Sequence, residues 1–173
     1  VFGSLGGLAV LNLEGLWTRY ENPESVLIEI ADLDSKSATG KLQELYRAPI
    51  QPELITHRIK QMRESGITVA GSLSPQRTVQ FAKTVVDAGV DIFVIRGTTV
   101  SAEHVSESGD SLNLKEFIYE LDVPVIVGGC ATYTTALHLM RTGAAGVLVG
   151  FGGGAAHTTA DVLGVQVSMA SAV

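Results

Sequence analysis

The sequence predicts an α/β protein that forms part of a (β/α)8 barrel, and three observations carry that expectation. Short, nearly continuous apolar runs alternate with amphipathic stretches, the amphipathic stretches stop at glycine, and the polar or glycine-rich segments fall just after the apolar runs. Apolar runs of this kind mark parallel strands covered on both faces, because helices lie on one side and a filled interior on the other. A doubly wound open sheet shares the alternation. The barrel is preferred because Ala88-Gly89 and Thr142-Gly143-Ala144 lead at once into short strands, leaving the variable segments on the opposite, ligand-facing edge.

The elements follow in order. Leu8 to Leu11 reads as a strand entering a polar loop, and Asn22, Pro23 and Glu24 open a helix through about Leu33, since proline costs nothing in a first helical turn. Asp32 to Gly40 reads as turn, Leu42 to Tyr46 as helical, and Glu53 to Ser65 as a helix with Leu54, Ile55, Ile59 and Met62 at helical spacing, stopped by Gly66. Thr68 to Ser72 is the second strand. Ser74 and Pro75 start a helix to Ala88, and Ile92 to Ile95 is the third strand, followed by a long loop from Arg96 to Leu112. A helix near Asn113 to Leu121, a strand at Pro124 to Val127, a helix at Tyr133 to Thr142 and a strand at Gly146 to Val149 complete the series. Five strands do not close an eight-stranded barrel. Core-like residues at both ends, Phe2, Leu5, Leu8 and Val10 and then Val165 to Val173, give the expectation that 1–173 is one barrel domain cut from a longer chain, with another helix starting near Val165.

Composition narrows the chemistry. Of the 173 residues 46% are hydrophobic and 17% charged, which is ordinary globular usage with enough apolar surface for a core. No apolar run approaches the roughly 18 to 20 residues of a membrane span, so no membrane partner is expected. The net charge of −6 is spread along the chain without a basic stripe, which argues against nucleic acid. Cys130 is the single cysteine, excluding an internal disulfide, and with no charged-then-apolar leader at Val1 the cytoplasm is the expected compartment.

Ligands in parallel α/β architectures sit at the carboxyl ends of strands, here Asn12 to Gly15, Ser72 to Pro75, Arg96 to Ser101, Gly128 to Thr132 and Gly150 to Thr159. The last is the most telling. Its sequence, Gly-Phe-Gly-Gly-Gly-Ala-Ala-His-Thr-Thr, follows a strand, and glycines there let main-chain dipoles approach an anion or a cation.

This loop resembles the active-site loop of the IMP dehydrogenase and GMP reductase family, with its pattern G-x-G-x-G-S-x-C-T-T. GGLAVLNLEG and PVIVGGCAT resemble that family's second and fifth strands, so the chain looks like the segment from the second to the sixth strand. LNLEGLWTRYE, LQELYRAPI and LHLMRTGAAGVLVG are most similar to an actinobacterial-type, IMP dehydrogenase-related branch. The short stretch between Leu33 and Glu53 leaves no room for the cystathionine-β-synthase insert of typical members. The resemblance implies oxidation of IMP to XMP with NAD, in purine and GMP biosynthesis, by a homotetramer or a pair of tetramers. It implies that Gly150, Phe151, Gly152, Gly154, Ala155, Arg96, Gly128 and Gly129 contact nucleotide or cofactor. It further implies that Thr159 helps position water and that the carbonyls of Gly152, Gly154 and His157 could hold a potassium ion.

The departures bear on catalysis. His157 stands where the family has its nucleophilic cysteine, and imidazole does not supply a soft thiolate. Ala155 replaces a phosphate-binding serine, Ala160 stands where arginine is common, Gly129 replaces an asparagine beside the nicotinamide, and Arg96 replaces an aspartate that contacts a ribose. His157 is therefore either a general base or substrate contact, or a loop histidine that only hydrogen-bonds. Cys130 could be imagined as a displaced nucleophile, against the simpler reading of a small buried residue. Arg96 could meet a phosphate or pair with a carboxylate at the rim. His57, His104 and His138 show no metal-ligand spacing and are expected on surfaces, while Trp17 and Tyr20 are expected over the barrel mouth or at a subunit contact. Two function classes result: a purine-nucleotide oxidoreductase, and a non-catalytic protein that binds purine nucleotide monophosphate or serves assembly.

Overall fold

A computed structural model describes residues 1–98, 100, 112–154 and 159–173. Five strands and eight helices are assigned in this range: β1 Val10–Asn12, α1 Pro23–Ala31, α2 Ser35–Leu45, α3 Pro52–Glu64, β2 Ala70–Leu73, α4 Pro75–Asp87, β3 Ile92–Arg96, α5 Leu114–Glu120, β4 Val125–Cys130, α6 Tyr133–Arg141, β5 Gly146–Val149, α7 Thr159–Leu163 and α8 Met169–Ala172. They group into two compact units, residues 1–72 with 83–90, and residues 73–82 with 91–173.

In the first unit β1 pairs in parallel with β2, Val10 opposite Ala70 and Asn12 opposite Ser72, and the ladder is extended by Leu13 N donating to Ser72 O at 3.0 Å. The chain then turns through Leu16–Thr18, where two guanidinium groups pin it. Arg58 from α3 donates to the carbonyls of Trp17 at 3.0 Å and Glu21 at 2.7 Å, and Arg19 donates to the carbonyls of Glu14, Tyr46 and Ala48. Each cation also lies over an aromatic ring, Arg58 over Trp17 and Arg19 over Tyr46. Trp17 and Tyr20 thus serve this latch, Tyr20 Oη donating to Leu45 O at 2.9 Å, a local role that the sequence reading did not foresee. On α3, Leu54, Ile55, Arg58 and Ile59 are buried at helical spacing.

Helix α2 begins well before the Leu42 to Tyr46 stretch expected of it. Asp34 caps it, accepting from Lys36 N and Ser37 N at 2.9 Å each, and these bonds offset the low propensity of the polar, glycine-containing turn sequence that follows. Strand β4 likewise runs past Val127 to Cys130, because Gly128 is held in register between its two neighbours.

In the second unit β4 is central and pairs in parallel with β3 and β5, all three buried or half-buried over most of their length. Phe93 and Leu114 anchor the core, with the Phe117 ring meeting Phe93 edge-on at 5.7 Å between centroids. Helix α6 is started by Thr132, whose hydroxyl accepts from Thr135 N at 3.2 Å. At the carboxyl end the expected helix near Val165 is the short α8, preceded by a bridge between Phe151 and Val167. No helix of the described residues is long and apolar enough to cross a membrane.

Candidate functional site

The carboxyl ends of β3, β4 and β5 lie side by side in the second unit. Register sets Arg96 opposite Gly128 and Gly128 opposite Leu148, and then shifts so that Cys130 faces Val149. That irregularity frees Gly129 from regular pairing. The segment after β3 is bound to the same place by Gly97 N donating to Gly128 O at 2.8 Å, Gly129 N to Gly97 O at 3.0 Å and Val100 N to Gly129 O at 3.0 Å. On the other side Gly150 N donates to Cys130 O at 2.5 Å.

These loops enclose a cavity of about 360 Å³. Six of the residues singled out from the sequence line it together: Arg96, Gly129, Gly150, Phe151, Gly152 and Thr159. Gly97, Thr98 and Leu148 line it as well; the first two belong to the Arg96 to Ser101 strand-end loop, and the sequence does not single out any of the three. A glycine immediately after a strand was the signal available for Gly97. Gly128 sits in β4 behind the lining, and Gly154 is described but is not part of the wall. Ala155 and His157 lie outside the described residues, as does His104.

At Gly129 and Gly152 the wall is main chain by necessity. A side-chain carbon on Gly129 would stand 2.5 Å from Gly150 O, and one on Gly152 would stand 2.8 Å from Val165 O. Both approaches are far inside van der Waals contact. Gly150 and Gly152 also have φ of +90° and +65°, a region that residues with a Cβ rarely adopt, so the chain can bend here only as glycine.

Charge at the cavity is one-sided. Among the described residues that line it, Arg96, exposed at the end of β3, is the one ionisable side chain, and none is a carboxylate. Cys130 is not in the lining. It is buried, 2% exposed, its Sγ 3.6 Å from Leu148 O, and burial pushes its thiol pKa up, opposite to what a nucleophilic thiolate needs. His57 and His138 are exposed on α3 and α6, as expected. Among the described residues no group of three or more His, Cys, Asp or Glu could hold a metal ion. The carbonyl set considered for a monovalent cation includes His157, outside the described range.

Residues 33–173 match the family model described as the IMP dehydrogenase / GMP reductase domain. Uncharacterised oxidoreductases of Mycolicibacterium smegmatis and Mycobacterium tuberculosis are each 48% identical over 177 residues, covering 99% of this chain and 47% of theirs. A crystal structure of an IMP dehydrogenase/GMP reductase-like protein from Corynebacterium glutamicum superposes with a TM-score of 0.87 at 48% identity, over 98% of this chain and 45% of that one. The α/β barrel segment expected from the sequence is therefore the fold observed, and the chain spans about half the length of these relatives.

Proposed function

The chain belongs to the IMP dehydrogenase / GMP reductase family, and from that premise we propose that its glycine-walled cavity binds the phosphate-bearing end of a purine nucleotide within an oxidoreductase. The observation carrying this reading is a cavity lined in part by the backbone of Gly129, Gly150 and Gly152 and holding, among its described residues, one guanidinium and no carboxylate. Backbone amides and arginine together suit a phosphate or a phosphorylated ribose, and loops at the carboxyl ends of adjacent barrel strands are where such groups bind. The finer assignment is oxidation of IMP to XMP with NAD in purine nucleotide metabolism, by a homo-oligomer. A nicotinamide dinucleotide, when bound, supplies the hydride acceptor. The cavity fits its phosphorylated portions by the same donor set.

In this reading Gly129, Gly150, Phe151 and Gly152 shape the pocket, and Gly128, Gly154 and Ala155 are further contacts of the nucleotide. Thr159 offers a hydroxyl to orient water. His157 acts as a general base, because imidazole titrates near neutrality and takes up a proton more readily than it forms a stable bond to purine carbon. No step is assigned to a potassium ion.

One observation favours the second class, a nucleotide-binding protein without turnover: the only thiol is buried, raised in pKa and outside the cavity lining. Following reduced-cofactor absorbance with IMP and NAD separates the two, alongside equilibrium titration with IMP, GMP and XMP. Turnover lost in His157→Ala and kept in Cys130→Ala supports the enzyme as drawn. Binding without turnover selects the second class, and turnover that survives His157→Ala but not Cys130→Ala overturns the site. Failure of every purine nucleotide to bind removes both.

A further inference from the structure

We propose that Met169 is a positioning residue for the glycine loop after β5, holding the cavity wall at Gly150 from outside the lining. The inference rests on the nucleotide-binding reading above and goes beyond it by naming what keeps that wall in place. Glycine-rich backbone has many conformations open to it, so a loop that keeps one shape needs contacts from elsewhere in the chain. Residues 165–169 supply them. Val167 N donates to Phe151 O at 3.1 Å, and the two residues form an antiparallel bridge. A side-chain carbon on Gly152 would stand 3.2 Å from Gln166 Cβ, and one on Gly153 would stand 2.8 Å from Val167 O and 3.6 Å from Met169 N. One on Gly150 would overlap Met169 Sδ and lie 3.9 Å from Ala172 Cβ.

Gly150 and Gly152 line the cavity, whereas none of residues 165–169 is among its described lining residues, so this segment supports the wall without forming it. Of the atoms nearest to Gly150, Gly152 and Gly153, most are carbonyls, an amide and Cβ atoms that other side chains would also leave in place. Only Cγ, Sδ and Cε of Met169 belong to a side chain beyond its Cβ. The backbone of Met169 is fixed at the first residue of α8, where Ser171 N and Ala172 N donate to Ser168 O at 2.9 and 3.1 Å. Its unbranched thioether is the kind of side chain that fills an irregular gap. Gly150 is thus held twice, by its amide bond to Cys130 O in β4 and by the thioether. Met169 is 49% exposed, so truncating it opens the gap to water instead of sealing a void in the core. The loss falls on the order of the loop and not on the stability of the whole chain.

Hydrogen exchange over residues 148–154, read by mass spectrometry on the full-length protein, tests this together with equilibrium titration with GMP. In Met169→Ala the amides of Gly150 to Gly153 should exchange roughly tenfold faster, the factor that burial of one or two methylenes supplies. GMP then binds only the ordered fraction of the loop, so its affinity should fall by about the same factor while the thermal melt is unchanged. Met169→Leu, close in volume, should restore both. Met140→Ala, on the exposed face of α6, should alter neither. Should Met169→Ala fail to fold, Met169→Val removes Sδ and Cε while keeping an apolar side chain, and should speed exchange in the same way. Unchanged exchange in the variant that folds overturns the assignment whether or not GMP binds. So does faster exchange spread over the whole protein with a lowered melt, since Met169 would then serve general stability. A wild type that binds no GMP, with exchange in the loop still faster in Met169→Ala, keeps Met169 as the brace and removes the nucleotide reading instead.

Discussion

Gly129 and Gly150 come so close that a single carbon added to Gly129 would meet the carbonyl oxygen of Gly150 at 2.5 Å. The contact joins the end of β4 to the turn after β5, and neither side can yield easily, since Gly150 N is already bonded to Cys130 O. Gly129→Ala should therefore push the two loops apart, costing about 1–3 kcal/mol of stability and most of the ligand affinity. Urea unfolding and nucleotide titration measure the two effects. Gly40 provides the control: it lies inside α2 with open space around it, so Gly40→Ala should be neutral or stabilising by about 0.5–1 kcal/mol. An alanine at 129 that melts and binds like the parent would contradict the packing described.

Arg58 holds the loop after β1 by its charge and by its shape. Its Nη1 donates to Gln61 Oε1 at 2.9 Å, complementing the bonds to Trp17 O and Glu21 O, and the guanidinium lies 5.4 Å from the Trp17 ring centroid. Arg58→Ala leaves those acceptors without their donor and should lower stability by about 2–3 kcal/mol. Arg58→Lys should recover little, because one ammonium does not span the same acceptors. Trp17 is the single tryptophan, so its fluorescence reports the loop directly and should shift in both variants. Unchanged emission with unchanged denaturation midpoints would refute the latch.

The Cys130 thiol is expected to be inert in the folded protein. Burial raises its pKa, which lowers the thiolate fraction, and the side chain is 2% exposed. A colorimetric thiol reagent at neutral pH should label it only slowly, with full and rapid labelling in denaturant. Fast stoichiometric labelling of the native protein would instead place an accessible, activated thiol at this edge of the sheet.

Asp34 makes the cap of α2 sensitive to acid. The Ser37 amide lowers its pKa most, followed by the Ser37 hydroxyl and the Lys36 amide. A carboxyl depressed in the folded state stabilises it fully above the ordinary value near 4, and that contribution disappears as pH falls through the folded value. The stability difference between wild type and Asp34→Ala should thus be constant from neutral pH to about 5, and shrink on further acidification. Urea melts at several pH values test this, and a difference that grows toward low pH would reverse the sign argued here.

Periodicity made much of the fold legible. The runs at Ile92 to Ile95 and Gly146 to Val149, and the helices stopped by Gly66, Gly89 and Gly143, are local patterns that local geometry honours. Two segments depart from the local reading. Asp32 to Gly40 reads as turn because its residues favour turns, and Gly128 to Thr132 reads as a strand-end loop because glycine weakens strands. For α2 the capping carboxylate of Asp34, at the start of the helix, decided the outcome, and for β4 the flanking strands did.

The sequence by itself determined that this chain would alternate strands and helices, and that glycines would gather near the end of β4 and after β5. It also placed one arginine at the end of β3. Only the tertiary structure decided that Arg96, Gly129 and Gly150 share one cavity, with Gly97 and Thr98 beside them and Cys130 excluded. Spacing along a chain sets which way a side chain points, whereas strand register and the shift at Gly129 set which distant backbones meet, and register is a property of paired strands.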